Sequence, residues 1–232
     1  ERMDRRERED KVRICHGDLH LRNLFMSPAG PRMFDCIDFN DQIATVDVLY
    51  DLAFLLMDLW HRGFGDFANV VANRYLDLSG DDDGFALLPF FMAVRAAVRA
   101  HVSATQIEEG AGADATLTDS AKAYFDFAGD LLRARTPRLV AIGGLSGSGK
   151  STLADALAPR LCGAPGARIL ESDRLRKAMF GVAPEARLPL EAYRPEVSRK
   201  VYAELNRRAR LILADGGTVV VDAVFDREQD RL

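Results

Sequence analysis

The sequence predicts an α/β chain in two parts. A mostly helical region over residues 1–134 precedes a parallel-sheet domain over residues 138–232. Three observations carry this. Val46, Leu49, Tyr50, Ala53, Met57 and Trp60 recur at helical spacing. From Leu139 onward, short apolar runs alternate with helical stretches, and strand–helix–strand–helix–strand order implies parallel strands joined by crossover helices. Between the two parts, Arg133–Arg138 (RARTPR) is a basic, proline-containing stretch that reads as a linker.

In chain order, Val12–Cys15 is a short strand. Leu24–Met26 and Met33–Ile37 flank Ser27-Pro28-Ala29-Gly30-Pro31, so they form a hairpin with a Pro/Gly turn. Helices are expected over Phe67–Leu78, Phe85–Ser103 and Ser120–Ala134. Ser79–Gly84 and Gly110–Thr116 read as solvated surface loops. In the second part the strands are Leu139–Ile142, Ile169–Leu170 and Val219–Val221. The helices are Ser151–Leu161 and Pro195–Ala214, the latter ended by Gly216-Gly217.

Composition narrows the partners. With 48% hydrophobic and 28% charged side chains the chain reads as globular. No window approaches the ~18 uninterrupted apolar residues of a membrane span, so no membrane partner is expected. A net charge of −4 argues against a general nucleic-acid binder. The charge is uneven. Residues 1–137 hold 15 Lys+Arg against 23 Asp+Glu, a net of −8, and residues 138–232 hold 16 against 12, a net of +4. The second part is the natural place for an anionic ligand. Cys15, Cys36 and Cys162 have no metal spacing and read as buried free thiols in a reducing cytoplasm. The first residue is Glu and Asp226–Leu232 reads as an interrupted helix, so the chain is expected to be a piece of a longer protein.

His16-Gly17-Asp18-Leu19-His20-Leu21-Arg22-Asn23 places an Asn five residues after an Asp, and Ile37-Asp38-Phe39 follows fifteen residues on. Phosphoryl transfer needs a carboxylate to orient and deprotonate an acceptor hydroxyl, and oxygen ligands for Mg²⁺. This arrangement supplies both. HGDLHLRN, CIDFN and the helix VLYDLAFLLMDL resemble the aminoglycoside phosphotransferase family, relatives of the protein kinases, over about residues 12–134. The resemblance implies a kinase-like C-lobe with Asp18 as catalytic base and Asn23 and Asp38 as metal ligands. His16 would brace the loop, Asp51 would be structural, and Asp35 is the alternative metal residue. It also implies a nucleotide-binding lobe before residue 1, so this region is expected to be truncated at its N-terminus. His20, His61 and His101 read as packing or surface residues. Arg95 and Arg99 share a helix face, and they either pair with acidic loops or hold the catalytic loop.

Gly144-Leu145-Ser146-Gly147-Ser148-Gly149-Lys150-Ser151-Thr152 is G-x-x-x-x-G-K-[ST] between a strand and a helix, the context that marks a phosphate-binding loop. Backbone N–H groups and the helix N-terminus would cradle the phosphates. Lys150 would reach the β/γ oxygens and the Ser151 hydroxyl would ligate Mg²⁺. Asp173 follows a strand and so sits where ligands bind in an open parallel sheet. It reads as an acceptor-side base, with the alternative that Ser172 or Asp173 caps the next helix. Arg176, one turn on, can hold an acceptor phosphate or carboxylate. Asp222, at the end of an apolar strand, reads as the second Mg²⁺ element. GLSGSGKST, SDRLRK and VVVDAVF resemble small P-loop kinases of the polynucleotide-kinase and zeta-toxin-like group. That group continues into a lid with arginines, and Arg227 and Arg231 lie toward it, so this domain is expected to be truncated at its C-terminus.

Fused in this order, the parts resemble bacterial bifunctional aminoglycoside-phosphotransferase-like/P-loop ATPase proteins. The resemblance implies an ATP- and Mg²⁺-dependent kinase acting on a hydroxyl of a small molecule or nucleotide. The alternative is a nucleotide-binding regulatory module without turnover.

Overall fold

A computed structural model describes residues 1–108 and 115–226, and these divide into two units. The first is Glu1–Ala68 with Leu87–Ala134, and the second is Asn69–Ala86 with Arg135–Leu232. Each follows from its own sequence logic.

In the first unit, α1 (Arg2–Arg8) leads to β1 (Val12–Ile14), which pairs antiparallel with β4 (Thr45–Asp47). Between them lie the hairpin β2 (Leu24–Ser27) and β3 (Gly30–Met33) and the short α2 (Asp41–Ala44). Asp47 joins α1 to the next helix. Arg6, 1% exposed, donates through Nε and Nη2 to both Asp47 oxygens at 2.6 and 3.0 Å, and Asp47 caps α3 (Val48–His61) by accepting from Leu49 N–H at 2.8 Å. α3 then buries Leu49, Leu52, Ala53, Leu56 and Met57. It packs with α5 (Leu88–Glu108), which in turn packs on α6 (Ala115–Leu131). The helical stripe read from the sequence is this core. The run Asp82–Glu108 is long and apolar enough, by length and composition alone, to cross a membrane, but Arg95 and Arg99 break it, so it does not hold the ~18 uninterrupted apolar residues that the sequence was read as lacking. Its helix α5 buries Leu88, Phe91, Met92 and Ala96 together with Arg95, as the core helix of this unit does.

The hairpin differs from expectation in its second strand, which runs Gly30–Met33 and not Met33–Ile37. The pairing Leu24–Met33 closes the ladder because the chain before Leu24 is a 3-10 turn, Leu21–Asn23. Asp35, at φ 60°, then takes the chain out of the extended region.

In the second unit the parallel sheet has the order β5-β7-β6, with β5 (Leu139–Gly143), β6 (Arg168–Glu171) and β7 (Val219–Ala223). α7 (Lys150–Leu161) crosses from β5 to β6. α8 (Ser172–Met179) and α9 (Pro195–Ala214) return to the central strand. Ile142, Ala154, Ala158, Ala167, Ile169 and Val220 form the core under α7, and α9 buries Val201, Leu205, Ala209 and Ile212. Small residues on α7 let it lie close to the strands.

The first unit ends at Ala134 and the second takes up at Arg135, inside the stretch read as a linker, but the second unit also takes Asn69–Ala86, with the later residues of α4 (Gly65–Ser79), which the expected division had left in the first part. The reason is polar. β6 would otherwise leave ladder groups open along its outer side. Asn73 accepts from Ile169 N–H at 2.7 Å and donates to Ala167 O at 3.2 Å, while Asn69 donates to Pro165 O and Ala167 O at 2.9 and 3.0 Å. Two side-chain amides thus satisfy the strand as a neighbouring strand would. Arg168, 1% exposed, donates to Asp82 at 2.7 Å, pairs with Asp77 at 2.8 Å, and bonds Asn73 Oδ1 at 3.1 Å. Asp82 also takes Arg208 at 3.2 Å. Ser79–Gly84 is therefore not a solvated loop, since Asp81 and Asp82 are buried. Cys36 is exposed, contrary to expectation, on the irregular stretch after β3. Cys15 is partly buried, and burial and the nearby Asp51 and Asp47 push its thiol up to about 11. The Gly110–Thr116 loop reading falls largely on 109–114, outside the described residues, as do Arg227 and Arg231.

Two outcomes follow. Asn73→Ala leaves Ile169 N–H without its partner, while Arg168 Nη1 keeps Ile169 O at 2.7 Å and Asp77 at 2.8 Å. Urea unfolding should show a loss of about 1–3 kcal/mol, the cost of one orphaned buried donor. Glu204 is held down from 4.5 to about 2 by hydrogen bonds from Arg207 first and Arg208 second. Its contribution to stability is present above its unfolded value and is lost as pH falls from about 4.5 toward 2. Thermal unfolding of Glu204→Gln should fall less steeply than wild type across that window.

Candidate phosphoryl-transfer sites

In the first unit the loop after β1 is tied down from below. Asp51, 7% exposed in the first turn of α3, accepts from His16 N–H at 3.2 Å and Gly17 N–H at 2.9 Å with its two oxygens. Gly17 has φ 81°, and a Cβ there would lie 2.8 Å from Ile37 Cδ1, so the turn admits only glycine without strain. Ile37 N–H donates to His16 O at 2.9 Å, which keeps Asp38 beside the loop. His16 Nε2 lies 2.9 Å from Phe34 O. From α5, Arg95 donates to Gly17 O at 3.0 Å and lies over the rings of Tyr50 and Phe54 at 4.0 and 4.7 Å. Burial lowers its guanidinium below the usual arginine range.

Asp18 projects from this scaffold with 42% of its side chain exposed. Asn23 Nδ2 donates to both Asp18 O and Asp18 Oδ2 at 3.0 Å. His20 accepts Arg22 N–H on Nδ1 at 3.2 Å, and its Nε2 lies 3.3 Å from the same Asp18 oxygen. Both neighbours crowd Oδ2, and none of the described residues bonds Oδ1.

In the second unit the loop between β5 and α7 carries three glycines at positive φ: Gly144 at 152°, Gly147 at 77° and Gly149 at 84°. At Gly144 a Cβ would meet Ser148 Oγ at 2.9 Å. Ser148 N–H donates to Leu145 O at 3.2 Å, closing the turn. Lys150 Nζ folds back on Leu145 O at 2.8 Å, and Ser146 and Thr152 are exposed. Ser151 Oγ donates to Asp222 Oδ2 at 2.5 Å. β5 and β7 are neighbours with Ile142 opposite Asp222, so the sheet register itself brings the carboxylate to the start of α7. Asp222 is 4% exposed.

Residues 1–88 match the phosphotransferase enzyme family, and residues 139–232 match an AAA domain. The chain joins a phosphotransferase-family region to an AAA domain. Both point to phosphotransferase, kinase-like chemistry. Uncharacterized proteins of Mycobacterium bovis and of two Mycobacterium tuberculosis strains are each 33% identical to it over 223 residues. The match takes in 93% of this chain and 43% of each relative, so the chain spans less than half the length of these curated relatives. No solved structure matches it.

In the phosphotransferase-family region, Asp18 and Asn23 are in direct contact, while Asp38 and Asp35 are exposed on the following stretch. Among the described residues no three His, Cys, Asp or Glu side chains form a cluster. His20 does more than the packing role read from the sequence. It is buried and touches Asp18, and the signal was its place two residues after that aspartate. His61 stacks on Tyr124 at 3.9 Å, a packing role. Of the two arginines on α5, Arg95 holds the loop, and Arg99 lies 5.9 Å from the Tyr124 ring.

In the AAA domain, Lys150, Ser151 and Asp222 share one strand-end edge. Asp173 pairs with Lys177 at 2.8 Å and is 54% exposed. Neither Ser172 nor Asp173 caps α8; the flanking residue is Glu171, and it makes no side-chain cap hydrogen bond. The cap alternative is thereby corrected: α8 starts directly from the end of β6, leaving Ser172 and Asp173 inside the first turn. Arg176 is buried and donates to Ala192 O at 2.5 Å and Ser198 Oγ at 3.3 Å.

Asp51→Asn retains one acceptor oxygen where two amides need one each. Amide exchange of His16 or Gly17 should then speed by about tenfold or more, the equivalent of one ~1.4 kcal/mol hydrogen bond. The exchange rates of loops in the AAA domain should stay unchanged.

Proposed function

We propose that the AAA domain binds ATP with Mg²⁺ and transfers its γ-phosphoryl group to a hydroxyl of a small molecule or nucleotide. The observation that carries this reading is the Ser151–Asp222 hydrogen bond at 2.5 Å beside a loop whose glycines turn its backbone inward. The donor set there is oxygen, a hydroxyl and one carboxylate, which suits a cation that keeps several waters and takes its other ligands from phosphate. Ser151 would ligate Mg²⁺ directly and Asp222 would act on it through water. When bound, the ion would neutralise charge on the phosphates.

The rest falls to the chain. Backbone N–H groups of Gly147, Gly149 and Lys150 orient the phosphates, with Ser146, Ser148 and Thr152 lining the same loop. Lys150 exchanges Leu145 O for phosphate oxygen. Asp173 accepts the proton of the acceptor hydroxyl, and Arg176 holds the acceptor. In the phosphotransferase-family region Asp18 has the corresponding role. Its Oδ1 takes the acceptor proton while Asn23 holds Oδ2, and Asn23 and Asp38 are the metal ligands. That region's turnover needs a nucleotide-binding lobe, as its resemblance to kinase C-lobes implies.

Calorimetry with ATP and Mg²⁺ tests the assignment. Lys150→Ala should weaken binding at least tenfold, and Asp222→Asn should weaken the Mg²⁺-dependent part. Asp173→Asn should leave binding intact and reduce kcat by ~10²-fold in an active longer protein. Unaltered ATP affinity in Lys150→Ala would sink the reading.

A further inference from the structure

The second unit holds a cavity of about 190 Å³ whose walls come from the end of α4, from β6, and from α8 and α9. None of them comes from the loop between β5 and α7. The α8 residues that line it, Arg174, Leu175 and Ala178, sit on the far face of that helix from Asp173 and Arg176, at ~3.6 residues per turn. The cavity is therefore separate from both the phosphate loop and the residues assigned to the acceptor.

Its charge is not balanced. Arg168, Arg174 and Arg208 line it together with Asp77 and Glu171. Ion pairs connect these to Arg74, Asp82, Glu204 and Arg207, a set of five guanidinium groups and four carboxylates. The set is one negative charge short, and unused donors belong to residues of the cavity wall. Arg174 gives Nε to Glu171 at 2.8 Å, and its Nη1 lies 3.8 Å from Asp77. Arg208 gives Nε to Glu204 at 2.7 Å and Nη1 to Asp82 at 3.2 Å. Neither Nη2 hydrogen-bonds any of the described residues. A partly buried cation set in excess is stabilised by an anion that reaches it.

The rest of the wall is apolar. Leu170, Leu175 and Leu205 are all buried in the protein and line the same cavity. Guanidinium edges match the planar oxygens of a carboxylate, and an aliphatic body would keep water from the leucines. The volume equals that of about six waters at ~30 Å³ each. It is below the ~300–1,000 Å³ of sites that enclose a drug-sized molecule, so a nucleotide does not fit.

We propose that this cavity binds a small aliphatic carboxylate, with its charge on Nη2 of Arg174 and Arg208 and its body against Leu170, Leu175 and Leu205. The site goes beyond the kinase reading and does not depend on it.

The test is calorimetry on the whole chain with 4-methylpentanoate, L-leucine, 4-methylpentanamide and acetate. The first two share a carboxylate and a branched body. The amide lacks the charge and acetate lacks the body. Binding of one or both of the first two, at least tenfold tighter than of the last two, is expected. A preference for leucine assigns its ammonium to Glu171, whose Oε2 bonds none of the described residues; the reverse preference assigns a ligand of single charge. Arg174→Gln should weaken binding at least fivefold. Because Arg174 also pairs with Glu171, Ala178→Phe is the second variant. It lies at an exposed position on the wall, fills the space without removing an ion pair, and should abolish binding. Lys150→Ala should leave the affinity as it is, whatever it does to ATP, so this proposal and the phosphate-loop assignment fail separately. No binding of either branched carboxylate, the amide or acetate binding as tightly, affinity unchanged in Arg174→Gln or Ala178→Phe, or binding lost in Lys150→Ala would each overturn the proposal.

Discussion

The AAA domain depends on the burial of Arg168. A guanidinium at 1% exposure, at the first residue of β6, is tolerable only if its charge and its donors are satisfied together. Asp77, Asp82 and Asn73 do this, and all three come from Asn69–Ala86. The same segment satisfies the open side of β6 through Asn69 and Asn73. One cation therefore fixes which residues complete the sheet, and with them the strand whose end leads into Asp173 and Arg176. Removing a single partner leaves a buried charge half compensated, which costs more than a lost surface ion pair.

The phosphotransferase-family region solves a similar problem with an anion. Asp51 sits under the loop after β1 and spends both oxygens on consecutive backbone N–H groups, and Arg95 takes the carbonyl of Gly17 from the other side. The start of the loop is thus held through its backbone, at His16 N–H, Gly17 N–H and Gly17 O. That leaves Asp18 free to present one oxygen outward, with Asn23 and His20 crowding the other. A carboxylate held on one side keeps its orientation without losing its acceptor capacity, which a base needs.

Most of this was legible where the signal is local. The loop between β5 and α7 was readable as a tight turn because its glycines stand together in sequence between an apolar strand and a helix, and β5, α7, β7 and α9 came from apolar period. Asp222 could be placed because a strand-end carboxylate beside a central strand has few other positions. Asn69–Ala86 could not be assigned to the second unit. Its ties to β6 span 94–98 residues of sequence and are made by asparagines and aspartates with no periodicity, so Ser79–Gly84 read as a solvated loop although Asp82 is buried. The hairpin strand was misplaced by three residues because Phe34, Cys36 and Ile37 look like strand. What ends the ladder is the 3-10 turn opposite, which apolar pattern does not report. His20 was undervalued for a related reason: its partner choice depends on the turn that brings its ring back to Asp18.

The two regions share a physical economy that explains where their reactive groups sit. Asp18 and Lys150 each lie one residue from a glycine at positive φ, Gly17 and Gly149, on loops leaving short strands. In both, the main chain is fixed by elements behind it: Asp51 of α3 below the first loop, and the β5–β7 register behind the second. A backbone so constrained does not depend on the side chains at its tip to hold its shape. The side chains at its tip can then exchange one partner for another, as the proposed nucleotide binding requires of Lys150, whose Nζ lies on Leu145 O. The buried and paired charges, Arg6, Arg168, Asp47 and Asp82, are structural. The half-exposed charges, Asp18, Asp173 and Lys150, stand at strand ends with weak or replaceable partners. Arg176 belongs to neither class: it is buried like the first, yet its hydrogen-bond partners, Ala192 O and Ser198 Oγ, are neutral.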